Sequence, residues 1–113
     1  MTNDESGGSK LILFRLRPDK AEAIIRDRAT ASENVIVGKH ARDRMVERDF
    51  TNMELFDILR TGHVTEEPES TPRGEWKCKV TKRLRGQREA GAVTVIMKDG
   101  FLFVKTVEWE DPQ

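Results

Sequence analysis

Three side chains able to do chemistry stand four residues apart in the run H-A-R-D-R-M-V-E-R: His40, Arg44 and Arg48. On an α-helix that spacing stacks them on one face. The stripe joins a group that titrates near neutrality to two that stay cationic. An anionic ligand suits it, phosphate first. Ala41 and Met45 lie a step round the cylinder, where they can face a core.

Metal-free cleavage of RNA needs little more than such a stripe. A base takes the proton of the ribose 2′-hydroxyl, cations stabilise the phosphorus oxygens, and an acid protonates the leaving 5′ oxygen. His40 is the candidate acid–base group, with Arg44 and Arg48 as bidentate phosphate clamps. For the second proton-transfer group, Glu75, Glu108 and His63 are all candidates and none is marked. The competing reading is structural: the arginines pair with Asp43 or Glu47, and the stripe ties helices to sheet.

A second cationic feature lies downstream. Seven basic residues fall between Arg73 and Arg88 against the single acid Glu75, although the net charge of the chain is zero. Such a local patch can guide a polyanion, and Lys77, Lys79 and Arg83 are its candidate backbone-tracking residues. As a plain solvated strand, the same lysines would discourage edge pairing.

Other chemistries lack their residues. There is no glycine-rich phosphate loop, no dinucleotide fingerprint and no nucleophile-elbow serine. Two histidines and one cysteine without a tight acidic cluster argue against a metal site, and no cofactor is expected. Cys78 alternates with Trp76 and Val80 and reads as buried and inert. Trp76 and Trp109 read as core or sheet-face residues, and His63 as structural. At 113 residues, 35% charged and 36% apolar, the chain reads as one polar domain. It has no apolar run of the roughly 20 residues that cross a bilayer, and the cytoplasm is the expected compartment.

The elements that position these residues follow from periodicity. Residues 1–9 read as a disordered leader, 10–109 as one α+β domain and 110–113 as an acidic tail. Lys10 to Leu16 reads as a strand. Pro18 opens a helix carrying Ala21, Ile24, Ile25 and Ala29 to one side. Val35 to Val37 is a brief strand, and Gly38 leads into the His40 helix, which ends near Asp49. Thr51 and Glu54 form a capping box for the next helix, with Phe50 stapled to Leu55 and Gly62 at the end. The two helices are expected to form a hairpin. His63 to Glu66 reads as a short edge strand, Glu67 to Arg73 as a loop, and Glu75 to Leu84 as a half-buried strand. Gly86 to Gly91 reads as a loop, then Ala92 to Met97 and Phe101 to Trp109 as strands joined by an Asp99-Gly100 turn. The sum is N-terminal helices on a three- to four-stranded antiparallel sheet, one face free and lined by Lys77 and Lys79.

Several blocks taken together carry a family resemblance. These are I-I-R, K-H-A-R-D-R-M-V-E-R, L-R-T-G-H-V, G-E-W-K-C-K-V and V-K-T-V, spread from Ala21 to Trp109. They resemble the small bacterial domain-of-unknown-function family 4258, thought to be similar to RelE- and BrnT-type toxins. The resemblance implies a RelE-like fold, a metal-independent endoribonuclease of a toxin–antitoxin system, RNA as ligand and an antitoxin-like protein partner. Among matching positions, His40, Arg44, Arg48, Lys77 and Thr106 have side chains able to reach a phosphate. RelE-type enzymes commonly place basic residues and a tyrosine or histidine on the sheet. This chain has no tyrosine and no histidine after His63. Either the helix His40 takes that role, or the domain is a non-catalytic module binding nucleic acid or protein.

Overall fold

Among the described residues, three helices pack on a five-stranded sheet, and the buried residues of both meet in a single core. The computed structural model describes residues 15–111. The expected leader over residues 1–9 lies outside them, as does most of the expected strand from Lys10 to Leu16; Arg15 and Leu16, its described end, carry no strand.

Helix α1 spans Pro18–Ala29, and its buried Ala21, Ile25 and Ala29 follow the predicted spacing. A 3-10 turn, Ser32–Asn34, leads to β1, Val35–Val37, and then to α2, Lys39–Glu47. Helix α3, Asn52–Thr61, starts with the predicted capping box: the Thr51 hydroxyl accepts from the Glu54 N–H and the Glu54 carboxylate accepts from the Thr51 N–H. Helices α1 and α3 pack together and cap each other. Arg26 of α1 donates to the Gly62 carbonyl at 2.7 Å, and Arg60 of α3 donates to the Ala29 carbonyl at 2.7 Å. Each satisfies an orphan carbonyl at a helix C-terminus.

Helix α2 lies along the sheet instead, so α2 and α3 are consecutive in sequence but are not the packed hairpin expected. Apolar partners decide this. Ala41 and Met45 of α2 are buried in the sheet-side core, and Asp49, with φ +62°, redirects the chain before α3 begins. Phe50, expected to staple to Leu55, stacks on Trp109 at 4.2 Å between ring centroids.

The strands β2 (Glu69–Ser70), β3 (Trp76–Leu84), β4 (Arg88–Ile96) and β5 (Leu102–Trp109) join β1 in the order β1-β5-β4-β3-β2. Strand β1 pairs parallel with β5, Val35 opposite Leu102 and Val37 opposite Val104, and the other pairings are antiparallel. Among the described residues the sheet is therefore mixed and five-stranded, not three- or four-stranded and antiparallel. A three-residue apolar run does not disclose its partner; here β1 covers the first half of the β5 edge, and α2 runs on from there. His63 forms one bridge, to Thr81, in place of the expected edge strand over His63 to Glu66. The edge strand is Glu69–Ser70, inside the stretch expected as a loop, where Glu69 also pairs with Lys77 at 3.4 Å. The expected loop from Gly86 to Gly91 shrinks to Arg85–Gln87, because Arg85 and Gly86, at φ +49° and +82°, turn the chain tightly.

One sheet face carries Cys78, Val80, Ala90, Ala92, Leu102, Val104 and Val107 into the helices. The opposite face carries Lys77, Lys79, Thr81 and Arg83 of β3, Gly91, Val93 and Val95 of β4, and Phe103, Thr106 and Glu108 of β5, since cross-strand partners share a face. Phe103 and Thr106 share it in spite of their odd spacing. A bulge leaves Lys105 unpaired between Val104, opposite Thr94, and Thr106, opposite Val93, and so resets the alternation.

Candidate phosphate site

Gly38 seats the start of α2 hard against β5. Its N–H donates to the Val104 carbonyl at 3.0 Å, and a Cβ there would lie 2.6 Å from Cζ of Phe103. The other end is pinned by Trp109, whose indole N–H donates to the Arg48 carbonyl at 3.0 Å. With Ala41 and Met45 buried between these anchors, the stripe of His40, Arg44 and Arg48 lies alongside the second half of β5.

The stripe exists as expected, and β5 completes it. Arg44 Nε donates toward His40 Nε2 at 3.4 Å. Arg48 Nε stands 3.2 Å from Glu108 Oε1, and Arg44 Nε 3.8 Å from Glu108 Oε2. Thr106 donates its hydroxyl to Glu108 Oε2 at 2.9 Å, which orients the carboxylate. Glu47 lies against both arginines, at 2.9 Å from Arg44 and 3.4 Å from Arg48. Asp43, the other predicted partner, pairs with Lys39 at 3.0 Å instead. Thus five residues from α2, its C-cap and β5 converge: His40, Arg44, Arg48, Thr106 and Glu108. The side chains of Arg44, Arg48 and Glu108 are 34–35% exposed, open to a ligand yet partly fixed. Beside them is an open hollow of about 580 Å³ lined by Glu47, Arg48, Arg88, Glu108, Trp109 and Asp111. A hollow of similar size, about 590 Å³, lies on the outer flank of α3 by Met53 and Phe56, away from these residues.

Of the three unmarked proton-transfer candidates, only Glu108 joins the stripe. His63 lies across the sheet, bridged to Thr81, with Nδ1 3.4 Å from Glu22 and 3.5 Å from Arg26. Glu75 is buried near the β4–β5 hairpin, where it accepts from the Lys98 N–H at 3.2 Å. The signal for Glu108 was in the sequence: it follows Thr106 by two, the spacing that puts both on one strand face.

Lys77, Lys79 and Arg83 lie on the same face as Thr106 and Glu108. Lys79, Val93 and Thr106 form one lateral row across three strands, so Lys79 and Thr106 are about 10 Å apart at the usual strand spacing. The lysines are occupied: Lys77 by Glu69, and Lys79 by Glu110 at 2.8 Å, a hydrogen bond that also pushes the Lys79 pKa up. Glu110, in the expected acidic tail, follows directly on β5, and its N–H donates to the Glu89 carbonyl. Arg83 has Gln87 at 3.4 Å and no carboxylate partner among the described residues.

Cys78 is buried on the helix side, and burial pushes its thiol up to about 11. Trp109 stacks on Phe50, and the Arg88 guanidinium lies 4.1 Å from its ring centroid. Among the described residues no three His, Cys, Asp or Glu side chains gather to hold a metal ion, and no helix is long and apolar enough to cross a membrane.

A family model described as Domain of unknown function (DUF4258) matches residues 37–109, a span running from the end of β1 to the end of β5. No curated protein and no solved structure matches the chain.

Proposed function

We propose that this chain, which belongs to the DUF4258 family, is a small bacterial RNA-binding protein that cleaves RNA without a metal, as a toxin-type endoribonuclease. The observation that carries the reading is the convergence of His40, Arg44 and Arg48 with Glu108 and Thr106. An imidazole, two guanidiniums and an oriented carboxylate are the groups the reaction needs, within reach of one phosphodiester.

In this mechanism the phosphate enters beside α2 and takes the guanidiniums of Arg44 and Arg48 from Glu47 and Glu108. Glu108, steadied by Thr106, accepts the proton of the ribose 2′-hydroxyl. The 2′ oxygen forms its bond to phosphorus while the bond from phosphorus to the 5′ oxygen breaks. His40 delivers a proton to that leaving oxygen. The products are a 2′,3′-cyclic phosphate and a free 5′-hydroxyl. Arg44 and Arg48 stabilise the charge on the non-bridging oxygens. Lys77, Lys79 and Arg83 guide the rest of the strand along the open face. A RelE/BrnT-like architecture is part of the reading, supported by helices laid on one face of a mostly antiparallel sheet. So are an antitoxin-like protein partner and a cytoplasmic location.

The test is a cleavage assay on total RNA in chelator, with wild type and His40→Ala both checked as folded. Cleavage by the wild type alone, leaving 2′,3′-cyclic phosphate ends, is the expected result. Equal cleavage by His40→Ala removes His40 from the mechanism.

The ion pairs within the cluster favour a second reading, a non-catalytic binding module. Its cations would then hold a polyanion through the open face, and binding would fall with salt. Neutralising Lys77 and Lys79 would weaken that binding, and His40→Ala would leave it unchanged.

A further inference from the structure

A hollow of about 450 Å³ opens on the free sheet face, floored by Val95, Met97 and Phe103. Its wall holds Glu75, which is 7% exposed; Glu75 and Thr94 are the two buried polar residues among those described. We propose that this hollow is a nucleobase subsite, and that Glu75 makes it select guanine. The choice of a nucleotide as ligand rests on the RNA reading above.

A buried carboxylate requires partners for its lone pairs. Glu75 Oε2 takes the Lys98 N–H, and among the described residues Oε1 has only the exposed Arg73 at 3.7 Å. Acceptor capacity is left in the wall of a hollow with an apolar floor, so a ligand that fills it should bring a flat apolar body and hydrogen-bond donors. Nucleobases do so. Guanine alone among the four common bases of RNA offers two adjacent donors, N1–H and the N2 amino group, on the edge a carboxylate would meet. Adenine, cytosine and uracil each set an acceptor beside the donor, against which a carboxylate is repelled.

The hollow is built before any ligand arrives. The turn that carries Glu75 is closed by three hydrogen bonds: Thr71 N–H to the Glu75 carbonyl at 2.8 Å, Gly74 N–H to the Thr71 carbonyl at 2.8 Å, and Glu75 N–H to the Thr71 hydroxyl at 3.1 Å. The Phe103 ring is half-buried, pressed on Gly38 at the start of α2, and offers a stacking surface. That contact also ties the hollow to the phosphate cluster. Gly38 stands two residues before His40, and Phe103 stands three before Thr106, about 10 Å along the strand. Adjacent nucleotides of one strand would reach both. Arg73 and Lys105 sit at the rim, where a flanking phosphate would pass.

The test titrates the four nucleoside 3′-monophosphates into wild type and Glu75→Gln, following the methyl signals of Val95 and Met97 and the ring signals of His40 by NMR. Glu75→Gln keeps an acceptor for Lys98 and the side-chain volume. Guanosine 3′-monophosphate should shift the Val95 and Met97 signals and bind about tenfold tighter than its adenosine counterpart. Glu75→Gln should abolish that preference, and Phe103→Leu should weaken all four. Shifts at His40 alone, equal for the four nucleotides, overturn the base subsite and leave the phosphate reading standing. Guanine-selective shifts at Val95 and Met97 with none at His40 uphold the subsite and overturn the phosphate reading. No shift at either place overturns both. Val95 and Met97 signals that move with protein concentration alone, or on removal of residues 1–14, assign the hollow to a second copy or to the chain's own N-terminal segment, and overturn it as a nucleotide site.

Discussion

Glu108→Gln separates a reaction from a structural tie, because the two roles differ in size. In the folded protein Glu108 stands 3.2 Å from Arg48 and 3.8 Å from Arg44, and takes a 2.9 Å hydrogen bond from Thr106. In a water-like dielectric, those two charge pairs are worth about 1.3 and 1.1 kcal/mol before any cost is counted. Ordering long side chains and screening by salt remove most of this, and pairs this exposed are worth roughly 0.2–1 kcal/mol each when measured. The amide keeps the acceptor for Thr106. A net loss of about 1 kcal/mol follows, or roughly 4 °C of melting temperature for a chain of this length. As a general base, Glu108 instead contributes about 10²–10⁴ in rate, some 3–5 kcal/mol on the barrier. The variant should therefore melt about 4 °C low, stay folded at 25 °C, bind RNA at least as well as wild type, and cleave at least a hundredfold more slowly. Binding is spared because a negative charge beside the phosphate has gone. Single-turnover cleavage, strand affinity by fluorescence anisotropy and a thermal melt read the three terms. Cleavage within threefold of wild type refutes the base role. A melting temperature lowered by more than about 10 °C means the cluster is chiefly a structural tie.

Two further outcomes test the frame around the site. Gly62→Ala should lower stability by about 3 kcal/mol, the upper end for overpacking, because the new Cβ would lie 2.5 Å from the Ile58 carbonyl and 2.7 Å from the Thr81 carbonyl, neither free to move; a melting temperature within 2 °C of wild type would contradict that crowding. Glu54 is held below its usual pKa of 4.5 by the hydrogen bond from Arg85, helped by the Thr51 N–H. A lowered folded pKa gives stability that is present above 4.5 and lost as pH falls through the folded value, so Glu54→Gln should melt below wild type at neutral pH and converge on it in acid. A gap that stays constant with pH would sink this account.

Local periodicity and turn chemistry were enough to find most elements. The four-residue spacing of His40, Arg44 and Arg48, the capping box at Thr51 and Glu54, and the alternation of Trp76, Cys78 and Val80 are properties of consecutive residues, and the helices and strand they announce are present. Pairings between distant segments are set by the whole core instead. Nothing in Val35-Ile36-Val37 names β5 as a parallel neighbour, and nothing in Glu69-Ser70 marks an edge strand between two prolines. Gly62 was legible as a helix end, but the reason differs. Its φ is −78°, open to any residue, and glycine is needed there because two carbonyls leave no room for a Cβ.

The same division runs through the site. Residue types and spacing on α2 determined that a cationic stripe with one imidazole would exist. Tertiary structure decided what faces it. The bulge at Lys105 shifts the phase of β5, so that Thr106 and Glu108, rather than Lys105 and Val107, turn to the open face beside Arg44 and Arg48. A one-residue change of phase reverses which side chains reach a ligand, and it depends on pairing with β4, which no local stretch of this chain records.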